Sequence, residues 1–536
     1  MTEQTGAVSR PTTLPLPRVG AFVLETLTLG MYGEPRHTLR EYVQNAFDSI
    51  RMAQRLGRLA ARGRVTVTIE ADAISIRDNG LGVPCTQAWA TLTSIGASKK
   101  DRLRDAGFRG IGRLAGMAYC DELVFRTSFA GEATESLVRF DCRRILAAMD
   151  PDGGSEMDLA DLMGEAVTIT MSEPVEKDAH YFEVALRGLL TAPRELTDPA
   201  AVSSYLSETV PVPFRPDWTR RDEIEAMYQE VFGNPMDTID VYVSVDGQEQ
   251  AIYKPYKNEV KISKGLAEIE QIDYFVDPDK QYLVWYGKLS KPAAVTEQLT
   301  RGLRVRVRNI QVDGTEIMDG LFRDYQPSYD RFNRWYVGEV HIDPRRVVPN
   351  ARRDGFEENE SWASIKDALV TTVCADLSSA AYAASKKRQT DSEKLLADVE
   401  KLVARSEALA QSSRATYDQV VESMAGAKKL RLSINAALRS ADDQDEVAQE
   451  AEAEPSAATA DRLRDASKAV ESVEQRARML MGQFTEKDSR VLALRERLRS
   501  EILQEVLEVV GAFVDASTYH RIRRELGAAE PIRESV

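Results

Sequence analysis

Three polar blocks near the N-terminus interrupt regular hydrophobic patterns and constrain the fold of this chain most tightly. They are residues 41–48 (EYVQNAFD), 78–82 (DNGLG) and 107–113 (GFRGIGR). Apolar residues recur at helical spacing across 21–62, whereas 64–70 and 73–77 alternate like paired strands and 167–171 resembles a further strand. This order predicts an α/β sandwich domain over residues 21–185, with helices on one face of a mixed sheet.

Composition excludes several classes of protein. The chain has 536 residues, which allows two to four domains, and no apolar run reaches the roughly 20 residues of a membrane span. Its four scattered cysteines, Cys85, Cys120, Cys142 and Cys374, form no CxxC pair, so neither a zinc site nor a disulfide framework is indicated. We therefore expect a cytoplasmic protein without a membrane segment. The formal net charge of −15 argues against a generic DNA-coating surface.

The remaining chain divides by pattern. Residues 1–20 are rich in proline and polar residues and predict a flexible arm. Residues 186–385 predict a second α/β domain, because strand-like pieces occur at 239–245, 282–286, 303–312 and 335–342 and because Trp218, Trp285 and Trp335 lie among them. The overall expectation is thus an α+β protein with two sheet domains.

The C-terminal part changes character. Residues 386–515 predict a coiled-coil hairpin of long helices, with an acidic linker at 441–456 and a tail at 516–536. A two-chain coiled coil remains an open alternative. The a/d seam of the second arm consists of Val470, Val473, Ala477, Leu480, Phe484, Lys487, Val491, Leu494 and Leu498.

The first block places three polar side chains on one helix face. Glu41, Asn45 and Asp48 follow the spacing i, i+4 and i+7. An asparagine beside a phosphate can supply an oxygen ligand to Mg²⁺, and a carboxylate one turn away can accept a proton from an attacking water. A solvated polar face is the common alternative for such a triplet.

The other two blocks suit a nucleotide. Asp78 can accept a hydrogen bond from an exocyclic amine, and Gly80 and Gly82 let the backbone approach a ring closely, although DNG also favours a simple turn. The run from Gly107 to Arg113 can open a helix whose free N–H groups meet phosphates. It does not fit a dinucleotide fingerprint, because the segment before it is polar and not a strand.

Together the three blocks resemble the GHKL, or Bergerat-fold, ATPases, which include gyrase B, the 90-kDa heat-shock chaperones, MutL, MORC proteins and histidine kinases. The first block is most similar to the chaperone version. The resemblance covers residues 20–180 strongly and 230–360 weakly, and it implies a second, transducer-like domain. It implies that Glu41 is the general base and that Asn45 is the Mg²⁺ ligand. Asp78 would read the adenine amine, with Gly80 and Gly82 beside the ring.

The same resemblance implies further contacts to ATP. Around the phosphates and the lid they are Asp48, Ser98, Lys99, Gly107, Arg109, Gly110, Ile111, Gly112 and Arg113. The family often has Gly-Thr before its last pocket strand, but here Gly164 precedes Glu165. The hydroxyl that supports the adenine-reading aspartate therefore either comes from Thr168, the nearest threonine, or is missing. The segment 347–354 (VVPNARRD) is similar to a chaperone loop that reaches the γ-phosphate. It assigns Asn350 and the catalytic Arg353 to that role, with Arg352 as an alternative.

The resemblance implies an ATPase that uses ATP and Mg²⁺ and works as a homodimeric clamp on a protein client, for which a dedicated phage-defence partner is one candidate. Two alternatives stay open. A MORC-like clamp on DNA would use the coiled coil or the basic strand that contains Arg304, Arg306 and Arg308, although such a stripe is more often solvated or paired with acidic partners. Nucleic acid is not favoured because the net charge is negative. A nucleotide sensor with the coiled coil as its output is the other.

Overall fold

Two units with different secondary structure make up the chain. The computed structural model describes residues 19–27, 33–96, 105–107, 110–149, 157–173, 179–189, 193–263, 265–412, 415–448, 455–482, 486–511, 518–519 and 522. The first unit spans residues 1–384 and mixes helices with two sheets, whereas the second spans 385–536 and is helical where it is described. The expectation of an α+β protein with a long helical C-terminal region is confirmed. The predicted arm and tail lie almost entirely outside the described residues.

Helices and strands alternate along the first unit. Its helices are α1 Val23–Leu27, α2 Arg36–Arg55, α3 Cys85–Thr93, α4 Cys142–Ala148, α5 Leu159–Ala166, α6 Arg194–Thr197, α7 Pro199–Thr209, α8 Arg221–Phe232, α9 Glu316–Tyr325, α10 Asp330–Asn333, α11 Glu360–Ala368 and the beginning of α12, Ala375–Gln411. A 3₁₀ segment covers Gly112–Tyr119, and a π-helical segment, Leu369–Cys374, joins α11 to α12.

The strands form two sheets. They are β1 Arg64–Ile69, β2 Ala73–Asp78, β3 Cys120–Ser128, β4 Glu135–Asp141, β5 Val167–Ser172, β6 Tyr181–Leu189, β7 Asp240–Val245, β8 Gln248–Ile252, β9 Glu259–Ile262, β10 Gly265–Val276, β11 Tyr282–Leu289, β12 Gly302–Val307, β13 Ile310–Gln311 and β14 Val337–Ile342. The strands predicted from alternation at 64–70, 73–77 and 167–171 are confirmed as β1, β2 and β5.

The first sheet has the order β5-β4-β3-β6-β2-β1-β7-β8. The predicted pairing of β1 with β2 is antiparallel, and β7 adds to the other side of β1 in parallel, with Val65 opposite Val241. The segment 239–245 was assigned to the second domain by its position in the chain. The structure instead makes it part of the first sheet, which therefore extends beyond the boundary expected at residue 185.

Helix α2 packs on this sheet through one face. Leu39, Val43, Phe47 and Ile50 recur three or four residues apart and are fully or almost fully buried against the strand residues of the first core. The apolar stripe fixes the rotation of the helix. It thereby brings the polar block that includes Glu41 to the edge of the sheet where β2 ends.

The second sheet has the order β13-β12-β14-β11-β10-β9. Its core contains an aromatic group in which Trp218 stacks on Tyr256 with ring centroids 5.5 Å apart, and Trp285 meets Tyr256 edge-on at 4.9 Å. The strands predicted at 282–286, 303–312 and 335–342 are present as β11, β12 with β13, and β14. Trp335 is only partly buried, in a separate cluster beside α9.

A buried ionic network crosses the second sheet. The Glu339 carboxylate accepts from Lys254 Nζ at 2.6 Å, from Tyr256 Oη at 3.1 Å and from the Arg306 guanidinium. His341 Nε2 lies 2.9 Å from the same carboxylate. Burial acts to raise the pKa of Glu339, but the positive charges of Arg306 and Lys254 outweigh this effect and hold that pKa well below its usual value.

This network changes the interpretation of the basic strand. Arg306 is fully buried and Arg304 is 4% exposed, with Arg304 Nη1 2.7 Å from Glu208 Oε1 of α7. Buried guanidinium groups with acidic partners cannot coat a phosphate backbone. The hypothesis that this strand binds nucleic acid is therefore wrong for Arg304 and Arg306.

The C-terminal unit contains more breaks than the sequence predicted. Its elements are the rest of α12, α13 Tyr417–Ala448, α14 Pro455–Met481 and α15 Glu486–Gly511. Helices α13 and α14 pack along each other, with Ile434, Val470 and Val473 fully buried. Of the predicted seam, Val470, Val473 and Ala477 are buried, whereas Leu494 and Leu498 are 61% and 49% exposed in the single chain. The linker expected at 441–456 is also shorter, since α13 continues through Ala448. No helix in the described residues could cross a membrane.

Candidate functional site

A cavity of about 290 Å³ opens between α2, the end of β2, the 3₁₀ segment and a loop that follows residue 349. All three sequence blocks contribute to its wall. The predicted residues that line it are Glu41, Asn45, Asp48, Asp78, Gly82, Gly107, Gly110, Ile111, Gly112, Arg113 and Arg353. The structure therefore brings together residues from three separated sequence blocks and from a loop of the second sheet domain.

Glu41 is one of the buried carboxylates of this wall. The residue is 8% exposed, and Oε1 has no hydrogen-bond partner among the described residues. The nearest cation is Arg353, whose Nε lies 3.6 Å from Glu41 Oε1. A carboxylate that is buried and incompletely hydrogen-bonded is available to accept a proton.

Asp48 holds the glycine-rich segment in place. Its two carboxylate oxygens accept hydrogen bonds from the backbone of Ala106 at 2.7 Å and of Gly107 at 3.0 Å. Since Asp48 lies two turns after Glu41 on the same helix face, α2 positions both a carboxylate and the start of this segment. The carboxylate of Asp48 thus lines the cavity and also holds the backbone of Ala106 and Gly107 in place.

The turn after β2 is fixed from several sides. Asp78 Oδ1 accepts from the Gly80 backbone at 2.8 Å, and Ser49 Oγ accepts from the Leu81 backbone at 3.0 Å. Gly82 has a φ of +72°, and a Cβ there would lie 2.0 Å from the Ser128 carbonyl oxygen. Only glycine fits this position.

The wall beside Asp78 is apolar. It is formed by Met52, Ile76, Leu92, Phe125, Phe182 and Val184. An apolar wall beside a buried carboxylate can accept an aromatic ring that carries an amine. Gly80 does not line the cavity, but its backbone N–H donates to Asp78 Oδ1 and so helps to orient the carboxylate.

Arg113 supplies positive charge on the opposite side. Its Nη1 is buried and has no hydrogen-bond partner among the described residues, and burial lowers the pKa of its guanidinium. Tyr42 Oη accepts from the Gly116 backbone at 2.8 Å and donates to the Arg113 carbonyl at 3.2 Å, which fixes the first turn of the 3₁₀ segment to α2. A buried guanidinium without an acidic partner favours an anion in the cavity.

Arg353 reaches the cavity from a tight loop. It is 8% exposed, adopts a φ of +58°, and donates from Nη2 to the Ala106 carbonyl. The Pro349–Phe356 bridge closes this loop, and the Asp313 backbone donates to the Arg353 carbonyl at 2.8 Å. A strained non-glycine residue held from both sides indicates a position fixed by its surroundings.

The neighbours of Arg353 have other roles. Asn350 Nδ2 donates to Asp354 at 2.6 Å, and Asn350 does not line the cavity. Arg352 is exposed, and its carbonyl accepts from Arg40 Nη2 at 3.0 Å. Of the residues considered in this loop, Arg353 is therefore the one whose side chain enters the cavity.

The expectation for Thr168 is wrong. Thr168 is exposed on the edge strand β5, which is separated from β2 by β4, β3 and β6. The residue opposite Asp78 on the neighbouring strand β6 is Phe182. The error came from the chain position of a Gly-X pair, which does not reveal strand order. Ser98, Lys99 and Arg109 lie outside the described residues.

Several supporting residues carried no sequence signal. Thr127 Oγ1 accepts from the Val83 backbone at 2.9 Å and donates to the Tyr181 carbonyl at 3.0 Å, which ties the turn after β2 to β3 and β6. His180 Nδ1 lies 2.6 Å from the Gly80 carbonyl. Both act through backbone groups that only the folded sheet brings near them.

One polar side chain near the glycine-rich wall, Asn45, has the ligand type that Mg²⁺ accepts. No cluster of three histidine, cysteine or acidic side chains that could hold a metal occurs within the described ranges. Mg²⁺ keeps several waters and takes most other ligands from phosphates, so one amide oxygen from the protein suffices. Asn45 Oδ1 lies 3.4 Å from the position a Cβ of Gly107 would take, beside the glycine-rich wall.

Compared with known proteins, the chain matches no family model and no curated sequence.

Proposed function

We propose that the protein binds ATP in this cavity and hydrolyses it to ADP and phosphate, as an ATPase of the GHKL type with a Bergerat-fold first domain. One observation carries the proposal. A single cavity has an incompletely hydrogen-bonded buried carboxylate, Glu41, beside the cation Arg353, and an apolar wall beside Asp78. An ATP molecule needs these features at its two ends.

The base and the phosphates have distinct partners in this proposal. The adenine ring packs against the apolar wall and donates from its amine to Asp78. The phosphates lie along the segment that contains Gly107 and Gly110, where backbone N–H groups and the Arg113 guanidinium offset their charge. When bound, Mg²⁺ would neutralise further phosphate charge, with Asn45 as its protein ligand.

Hydrolysis follows from the position of Glu41. A water oxygen attacks the γ-phosphorus, the bond from that phosphorus to the bridging oxygen breaks, and ADP leaves with the electron pair. Glu41 accepts the proton of the attacking water. Arg353 lies within reach of the same carboxylate and can donate to the γ-phosphate oxygens, which offsets charge that builds up in the transition state.

The test is phosphate release by the purified chain in the presence of Mg²⁺ and ATP. Glu41→Ala should lower the turnover rate by at least about 100-fold while ATP affinity is retained. Glu70→Ala removes an exposed carboxylate just after β1 and should leave the rate unchanged. Turnover that persists in Glu41→Ala would remove Glu41 from the mechanism.

The coupling of ATP to a homodimeric clamp is part of the same proposal. ATP would favour a closed state in which two chains meet around a protein client, since only differential binding shifts such an equilibrium. Light scattering of a chain that ends at residue 384, which lacks the helical C-terminal unit and any dimerisation through it, should show one chain without nucleotide and two with a non-hydrolysable ATP analogue. An unchanged molecular mass in the presence of the analogue would contradict nucleotide-driven closure.

The two alternatives are less well supported. A DNA clamp loses its proposed contact strand, because Arg304 and Arg306 are buried. A nucleotide sensor without turnover does not explain why a buried carboxylate with an unsatisfied oxygen lies beside an arginine in the cavity.

A further inference from the structure

Gln44 is the most unusual polar side chain near the cavity. It is 2% exposed, and neither its Nε2 nor its Oε1 has a hydrogen-bond partner among the described residues. Unlike Glu41, Asn45 and Asp48 of the same block, it belongs to no part of the site described above. A buried amide that satisfies none of its four hydrogen-bonding positions is costly, so its retention calls for a partner that binds there.

The position of Gln44 on α2 limits what that partner can be. It follows Glu41 by three residues and precedes Asp48 by four, so its side chain lies on the turn between the two carboxylates. Its Nε2 lies 3.1 Å from the point that a Cβ of Gly107 would occupy. The amide therefore reaches the start of the glycine-rich segment, and any side chain at Gly107 would crowd it.

The unsatisfied atoms of Glu41 and Gln44 are an acceptor and a donor, respectively. Glu41 Oε1 is a buried acceptor without a hydrogen bond, and Gln44 Nε2 is a buried donor without an acceptor. A water molecule both donates and accepts, so one water between the two side chains would satisfy both atoms. A phosphate oxygen could accept from Gln44 but could not donate to Glu41.

We propose that Gln44 is a catalytic residue that binds the attacking water, with Nε2 donating to the water oxygen while the water donates to Glu41 Oε1. This inference rests on the proposed ATP hydrolysis. The hydrogen bond from the amide occupies one lone pair of the water oxygen and leaves the other to attack the γ-phosphorus, and Gln44 itself gains and loses no proton. Orientation of one water in this way contributes to rate without adding to ATP affinity.

The test uses Gln44→Leu in the full chain, because leucine keeps the approximate volume and removes both hydrogen-bonding groups. Turnover should fall about 100-fold, whereas the dissociation constant of a non-hydrolysable ATP analogue should stay unchanged. The thermal midpoint should be unchanged or higher, since an unsatisfied buried amide is replaced by an apolar group. Gln54→Leu, the same substitution nearer the end of α2 and away from the cavity, should alter neither turnover nor affinity.

The outcomes separate the two proposals. Absence of turnover by the unaltered protein would overturn the proposed function itself. If the unaltered protein turns over and Gln44→Leu matches it, the role of Gln44 is wrong while the ATPase stands. A parallel loss of analogue affinity would make Gln44 a nucleotide ligand, and a lower thermal midpoint would make it a structural residue. Either result would overturn the inference.

Discussion

Gly82→Ala tests the geometry of the turn that presents Asp78. At a φ of +72° an L-residue is strained by about 1–2 kcal/mol. The new Cβ would also lie 2.0 Å from the Ser128 carbonyl oxygen and 3.1 Å from the Tyr181 carbonyl oxygen. These are backbone atoms of β3 and β6, so the turn or the strands must move, which adds about 1–3 kcal/mol or more.

A matched control separates strain from collision. Gly57 has a φ of +64°, but a Cβ there would meet nothing within 4 Å. Gly57→Ala should therefore lower the free energy of unfolding by about 1–2 kcal/mol and leave ATP affinity unchanged. Gly82→Ala should lower it by about 3 kcal/mol in total and should weaken ATP binding at least tenfold, because Asp78 moves with its turn.

The assays are urea unfolding followed by tryptophan fluorescence and titration with a fluorescent ATP analogue, each on the full chain. Equal effects of the two substitutions on stability would refute the argument from the Ser128 carbonyl. Unchanged ATP affinity in Gly82→Ala would refute the claim that this turn forms the base-binding end of the cavity.

Three further predictions concern charge. Arg353→Ala should lower turnover about 100-fold, measured as phosphate release, because a donor to the transition state is lost; an unchanged rate would exclude this role. Glu339→Gln should cost about 3–5 kcal/mol in urea unfolding, since it leaves buried cations without a carboxylate, whereas Lys254→Met should cost less. The reverse order would contradict this. Burial lowers the pKa of His341 from 6.5 to about 4. The unfolded chain therefore takes up a proton first, and stability should fall as pH drops from 6.5 towards 4, with a smaller slope in His341→Gln.

Local patterns predicted much of the first domain. Alternation identified β1 and β2 and their pairing, because one face of each strand is buried. The i, i+4, i+7 spacing placed Glu41 and Asn45 on one face of α2, and both line the cavity. These predictions succeeded because a helix face and a strand alternation depend on neighbouring residues alone.

Contacts between distant segments were harder to predict. Thr168 was chosen by proximity in the chain, but strand order places it at the far edge of the sheet. The alternating arginines of β12 resemble an exposed basic stripe, but Arg306 is buried beside the carboxylate of Glu339. The local pattern around Arg306 does not reveal this partner. The heptad pattern through Leu494 indicates an apolar face, which is exposed in the single chain, but periodicity does not reveal whether a partner covers it.

The most direct test of the central claim is calorimetric titration of the full chain with a non-hydrolysable ATP analogue and Mg²⁺, comparing the unaltered protein with Asp78→Ala. The account predicts saturable binding of one nucleotide per chain, which Asp78→Ala abolishes or weakens at least about 100-fold because the base loses its carboxylate partner. Absence of binding to the unaltered protein, or equal binding to both proteins, would contradict an ATP site at this cavity.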